Sequence, residues 1–252
     1  GSNLSQEEVD RGTAQRKLMS WVKLHPHNIA QKVEVIVEHF NQFIRPLLNQ
    51  KAKAMVVVSS RREAVRWKLA IDNYINKKKY PLGTLVAFSG EVKDKVSGPD
   101  PFTEKSKKLN PGLRGDIREV FKGDNKHILI VANKFQTGFD QPLLCGMYLD
   151  RKLSGVQAVQ TLSRLNRCHP NKVDTYVVDF ANDSKDILGA SLNRGQIGIV
   201  ILIPALLALP ATISLAKENF GKRDIPFFAH LIHLGLVLLI ICLLYTSDAA
   251  DE

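Results

Sequence analysis

The chain has 252 residues, with 35 Lys and Arg against 25 Asp and Glu, a formal charge of +10. At 44% hydrophobic and 24% charged it has an ordinary globular composition, which excludes a disordered polyelectrolyte, a collagen and a coiled-coil rod. Three cysteines, Cys145, Cys168 and Cys242, are too few and too widely spaced for a disulfide framework or a zinc site, so a reducing, cytoplasmic setting is expected.

The polar N-terminal lead has no apolar signal core, and nothing in it directs export from that end. After His25-Pro26-His27, the stripe Ile29, Val33, Ile36, Val37, Phe40 and Ile44 predicts an amphipathic helix. Asn28 and Gln31 resemble a capping box at its start, and Pro46 ends or kinks it. Residues 1–50 therefore read as a helical linker. From Lys53 the pattern changes to short apolar runs, Ala54–Val58, Leu85–Gly90, Ile128–Val131, Cys145–Asp150 and Tyr176–Phe180. The runs are continuous, not alternating, as in strands buried on both faces. Helical stretches at Gly115–Phe121 and Gly155–Arg167 separate some of them, which predicts βαβ crossovers and an α/β parallel sheet flanked by helices over 51–190. Glu91–Leu113, with three prolines and five lysines, reads as an exposed insertion loop.

The charge is unevenly placed. The first 192 residues carry a net +11 and the remainder −1. Residues 193–252 hold two uncharged apolar runs, Gly195–Ala216 and Ile225–Ser247, each long enough to cross a bilayer as helix. They read as an apolar helical hairpin. The last eleven residues, CLLYTSDAADE, look like the translation of a library adapter, so the tail is expected to be artefactual. If it is genuine, a membrane anchor follows; otherwise none is expected.

In a parallel α/β sheet, ligands gather at the carboxyl ends of the strands. Those ends carry Ser59-Ser60-Arg61, Ser89-Gly90-Glu91, Asn133 to Asp140, and the helix after Asp150. On a continuous helix Gln160, Arg164 and Arg167 fall within an arc of about 60°, with Val159, Leu162 and Leu165 turned elsewhere. Two guanidiniums and an amide on one face suit a phosphate, although a solvated basic face is an equal reading of this helix alone. In the preceding loop Thr137 offers a hydroxyl, Gly138 allows close backbone approach, and Asp140 can accept from a sugar or hold an arginine.

Together KAKAMVVVSSRREAV, LVAFSGEV, ILIVANKFQTGFDQPLLCGMYLD and GVQAVQTLSRLNR resemble the second RecA-like lobe of superfamily 2 helicases. More narrowly, they resemble the motor of the R subunit of type I restriction enzymes. The resemblance implies that Gln160, Arg164 and Arg167 are catalytic, with both arginines as fingers for the γ-phosphate of ATP. Ser163 stands where many helicases have Gly. It further implies that Gly138 and Asp140 belong to the ATP side, and that Ser59, Ser60, Arg61, Ser89, Gly90, Lys134 and Thr137 contact nucleic acid. Mg2+ and most of the ATP would be bound by a first lobe that is missing here. The implied partners are double-stranded DNA, that first lobe, a nuclease domain, and modification and specificity subunits.

No G-x-x-x-x-G-K-[ST] phosphate loop occurs in the sequence, so the reading is a motor fragment without ATPase or nuclease activity of its own. Alternatives are a non-enzymatic nucleic-acid binding module and, with a genuine tail, a membrane-anchored protein. No metal site is expected: His230 and His233 lack a carboxylate or thiol partner nearby. Cys145 reads as a buried core residue. Cys168 and His169, being adjacent, do not face one another as a nucleophile pair would.

Overall fold

The computed structural model describes residues 13–14, 18, 20–135, 138–172, 174–182 and 199–202. The strands are β1 (Lys53–Val58), β2 (Thr84–Phe88), β3 (Ile128–Ala132), β4 (Leu144–Asp150), β5 (Tyr176–Asp179) and β6 (Ile199–Leu202). They form one sheet in the order β2-β3-β1-β4-β5-β6, and every neighbouring pair is parallel. β1 to β4 are buried along their whole length. This is the arrangement that the continuous Val/Ile/Leu runs predict, since helices cover both faces.

The helices that flank the sheet are α1 (Pro26–His39), α2 (Arg61–Lys78), α3 (Ile117–Lys122) and α4 (Gly155–Leu162). Strand side chains alternate between the two faces. Met55, Val57, Leu85, Leu129, Val131, Met147 and Val177 point to the face that packs against Ile117 and Phe121 of α3 and Ala158 and Leu162 of α4. The opposite face carries α1 and α2. There a methyl group on Gly146 of β4 would lie 3.2 Å from Ile44 and 3.3 Å from Ala54, so only glycine fits easily.

α1 starts two residues before the predicted box. His25 is its cap, with Nδ1 accepting from His27 N at 3.3 Å, and Pro26 takes the first helical position, where its missing N–H costs nothing. Asn28 instead donates to Val22 O at 3.0 Å. The helix widens into a π-turn over Phe40–Ile44, closed by Arg45 N on Phe40 O at 2.8 Å. Pro46 follows, and Leu48, Asn49 and Gln50 take positive φ of 51°, 56° and 65°. Ile29, Val33, Ile36, Val37, Phe40 and Ile44 are all buried, so the N-terminal segment contributes apolar core as well as a connection.

Residues 91–113 form the loop that their composition predicts, exposed over much of its length but anchored to the body at a few buried points. Phe102, Leu109 and Asn110 are buried, and Val92 bridges Phe102. Arg66 of α2 holds Asp94 with two bonds, at 2.8 and 2.7 Å. Asn110 then works as a surrogate strand along edge strand β2: its Oδ1 accepts from Val86 N at 3.0 Å and its Nδ2 donates to Val86 O at 2.8 Å. Glu104 Oε2 accepts from Phe88 N at 3.2 Å. Unpaired edge amides invite pairing with other chains, and here the insertion occupies them.

Of the apolar run 195–216, the described part is β6, laid along β5, and not helix. Ile-Val-Ile-Leu is a short, mostly β-branched run, which suits a strand. The rest of 193–252, including the expected hairpin and the adapter-like end, lies outside the described residues. Among the described residues, no helix is long and apolar enough to cross a membrane.

Candidate functional site

The carboxyl ends of the strands open on one edge, as a parallel sheet requires. After β3 the chain turns sharply, with positive φ at Asn133 (51°), Phe135 (64°) and Gly138 (68°). Gly138 is exposed and nothing lies within 4 Å of an added Cβ. Glycine is therefore demanded there by the left-handed backbone and not by close approach of protein atoms. The loop is anchored by Phe139, which is buried with ring centroids 5.1 Å from Phe135 and 6.2 Å from Phe121. Gln136 and Thr137 lie outside the described residues.

Asp140, one residue beyond this anchor, is exposed and receives Arg167 Nε at 3.2 Å from its Oδ1. Arg164 Nη1 donates to Phe139 O at 3.3 Å. The loop and both arginines therefore meet at one corner. Burial lowers the Arg164 pKa, with Arg167 pushing the same way and Asp140 opposing; an arginine that starts this high keeps its charge. Behind it, between Val57, Val131, Asn133, Lys134, Thr161 and Arg164, lies a cavity of about 10 Å³, room for one water and not for a nucleotide.

The arginines do not ride on a continuous helix. α4 ends at Leu162, and Arg164, Leu165 and Asn166 N–H groups bond three residues back, to Thr161, Leu162 and Ser163 carbonyls. This is a 3₁₀-like tightening, common where a helix runs out of partners. Ser163 Oγ donates to Gln160 O at 2.9 Å and helps end the helix. Leu162 and Leu165 are buried as predicted, whereas Val159 is only half-buried and Gln160 is exposed. Lys172 folds back and donates to Leu165 O and, at 3.2 Å, to Arg167 O. Its ammonium satisfies carbonyls of the turn that follows α4, and burial lowers its pKa.

At the β1 and β2 ends, Arg61 Nη1 donates to Ser89 O at 3.3 Å, and a Cβ on Gly90 (φ 74°) would lie 3.0 Å from the same nitrogen. Arg61, Ser89 and Gly90 therefore adjoin and are exposed or half-exposed to solvent. Ser60 caps α2, with Oγ accepting from Glu63 N at 3.2 Å and donating to Glu63 Oε1 at 3.0 Å. Ser59 is half-buried and bonded to Lys23, Asp150 and Glu63. Lys134 forms an ion pair with Glu104 at 2.6 Å. The edge also gains Arg151, which donates to Asn133 Oδ1. Neither Arg151 nor Lys172 belongs to a motif that sequence reading could use. Among the described residues, no three His, Cys, Asp or Glu are grouped so as to hold a metal ion.

Residues 102–182 match a family described as type I restriction enzyme subunit R domain 3. The chain is 32% identical over 167 residues to a putative type I restriction enzyme MjaVIIP endonuclease subunit of Methanocaldococcus jannaschii, covering 63% of this chain and 15% of that protein. It is 25% identical over 188 residues to the type I restriction enzyme HindI endonuclease subunit of Haemophilus influenzae, covering 66% of this chain and 16% of that one. The chain thus spans about one sixth of the length of these relatives. Domain 2 of the Mss116p DEAD-box helicase, solved on an RNA duplex, aligns with 70% of this chain and 59% of its own at 16% identity and a TM-score of 0.40.

Proposed function

We propose that residues 51–190 are the second motor lobe of a type I restriction endonuclease subunit, a larger protein that translocates double-stranded DNA at the expense of ATP. The observation that carries this reading is the corner where Arg164, Arg167 and Asp140 meet at the carboxyl edge of a parallel sheet. It lies within the segment that matches the subunit R family.

Arg167 is exposed and Arg164 half-exposed, and guanidiniums fit the phosphate oxygens of ATP bound on a facing first lobe. ATP supplies the phosphoryl group to be transferred; these residues supply positive charge where negative charge develops, worth about 10³–10⁵ in rate in phosphoryl transfer. Asp140 keeps Arg167 extended towards that face. Gln160 stands exposed on the last turn of α4 and Gly138 sets the path of the adjoining loop. ATP and Mg2+ would be held mainly by the first lobe. Arg61, Ser89 and Gly90 offer a backbone-reading surface, which suits a motor that must ignore sequence. A nuclease domain and modification and specificity subunits complete the assembly, in the cytoplasm.

In the complete motor subunit, Arg164→Ala and Arg167→Ala should each abolish DNA-stimulated ATP hydrolysis while leaving duplex affinity within about twofold. Retained hydrolysis overturns the reading. Lost duplex affinity in both variants would favour a non-enzymatic nucleic-acid binding module instead.

A further inference from the structure

The hydroxyl of Ser59 sits 3.2 Å from Asp150 O and 3.1 Å from Lys23 Nζ. A carbonyl oxygen only accepts and an ammonium only donates. The single hydroxyl proton of Ser59 is therefore given to Asp150 O, and a lone pair of Oγ takes a proton from Lys23. Its backbone N–H is also engaged, by Glu63 Oε2 at 3.1 Å. Ser60 is committed in the same way, its Oγ donating to Glu63 Oε1 and accepting from Glu63 N. Neither serine side chain has a proton left for a phosphate.

Lys23 is differently placed. Its ammonium has three protons, and Ser59 takes one. The side chain is half-buried, reaching from the helical residues 20–24 to the carboxyl end of β1, next to Arg61 at the start of α2. Burial raises the Glu63 pKa, with nearby Lys23 among the groups that oppose the rise, so the lysine and this acid lie close together at the sheet edge.

We infer that Lys23, from the N-terminal segment, is the group that meets a nucleic-acid backbone phosphate at the β1 end, in place of Ser59 and Ser60. This rests on the nucleic-acid reading above. It turns residues 20–24 from a connection into part of the binding surface, and it explains why two serines at the expected position are turned inward. They build the seat, and the lysine occupies it.

The test uses the full chain and a labelled DNA duplex of arbitrary sequence, with affinity read by fluorescence anisotropy between roughly 50 and 200 mM salt. Lys23→Gln should weaken binding about three- to tenfold and reduce the slope of log affinity against log salt by about one. Lys23→Arg should keep both. Wild-type affinity and slope in Lys23→Gln, with binding weakened in Arg61→Ala, overturn the inference and leave the nucleic-acid reading standing. If the wild-type chain binds no duplex, or Arg61→Ala is also without effect, that reading falls and the inference with it. Loss of binding in Lys23→Arg with a lowered thermal midpoint marks a folding effect and also overturns the inference.

Discussion

Arg167 Nε rests 3.2 Å from Asp140 Oδ1, and the two side chains are 46% and 69% exposed. An ion pair so open to water contributes only about 0–1 kcal/mol, so it orients the guanidinium without trapping it. Asp140→Asn should change the unfolding free energy by less than about 0.5 kcal/mol in urea titrations. If Arg167 acts on ATP as proposed, Asp140→Asn in the complete motor subunit should still lower ATP turnover by about tenfold or more, because the guanidinium loses its guide. Turnover equal to wild type would show that Asp140 does not position Arg167.

Lys172 acts one step behind. With Lys172→Met, the carbonyls of Leu165 and Arg167 lose a charged donor, at a cost of about 1–3 kcal/mol. Hydrogen exchange across residues 163–168 should accelerate, with amides in β1 and β4 unaffected. Lys172→Arg should restore slow exchange. Equal acceleration throughout the sheet would mean that Lys172 supports the whole fold and not this turn.

Asn110 lies 24 residues beyond Val86 of β2, to which it makes two bonds. Asn110→Leu leaves that backbone N–H and C=O unpaired in a buried setting. The expected loss is about 2–4 kcal/mol in chemical denaturation. The bared β2 edge should also raise aggregation, read by light scattering. Wild-type stability and solubility would show that water serves the edge equally well.

Burial depresses His39 to about 4 and, with help from Lys53, Arg45 and Lys126, depresses His127 to about 4. Each ordinarily titrates at 6.5. Between these values the unfolded chain binds more protons than the folded one, so stability is complete above pH 6.5 and is lost as pH falls towards 4. The buried carboxyls of Glu63 and Asp179 are raised and act in the opposite sense. His39→Phe isolates one histidine: its stability should fall less steeply through this range, by up to about 1.4 kcal/mol per pH unit. Thermal or urea unfolding at stepped pH measures it, and identical slopes would place a proton on His39 in the folded state.

Strands β1 to β5 were readable because a strand buried on both faces has a continuous apolar signature, and the order of motifs along the chain placed their ends together. Three features were not. The end of α4 depends on Ser163 taking the Gln160 carbonyl and the turn after it on Lys172, which periodicity does not register. Asn110 covers an edge that exists only once the sheet is assembled. Ile199–Leu202 sits inside a long apolar run, and length alone favoured helix where β-branching favours strand. At the site, Asp140 and Arg167 were each legible as residue types. Lys23 was invisible, because a lone lysine in a polar lead carries no pattern until Ser59 is seen to be spent.

The sheet order has a bearing on biosynthesis. β1 is central, flanked by β3 and β4, while β2, the next strand made, is separated from it by β3. During translation β1 therefore has no neighbour to pair with until residues 128–132 emerge, and its second side waits for residues 144–150. Over that interval a strand that is apolar from Ala54 to Val58 must be sheltered by α1, α2 or a chaperone, since long-range parallel pairing forms late. Ribosome-bound chains halted between β2 and β3 should accordingly be the most chaperone-dependent lengths of this protein.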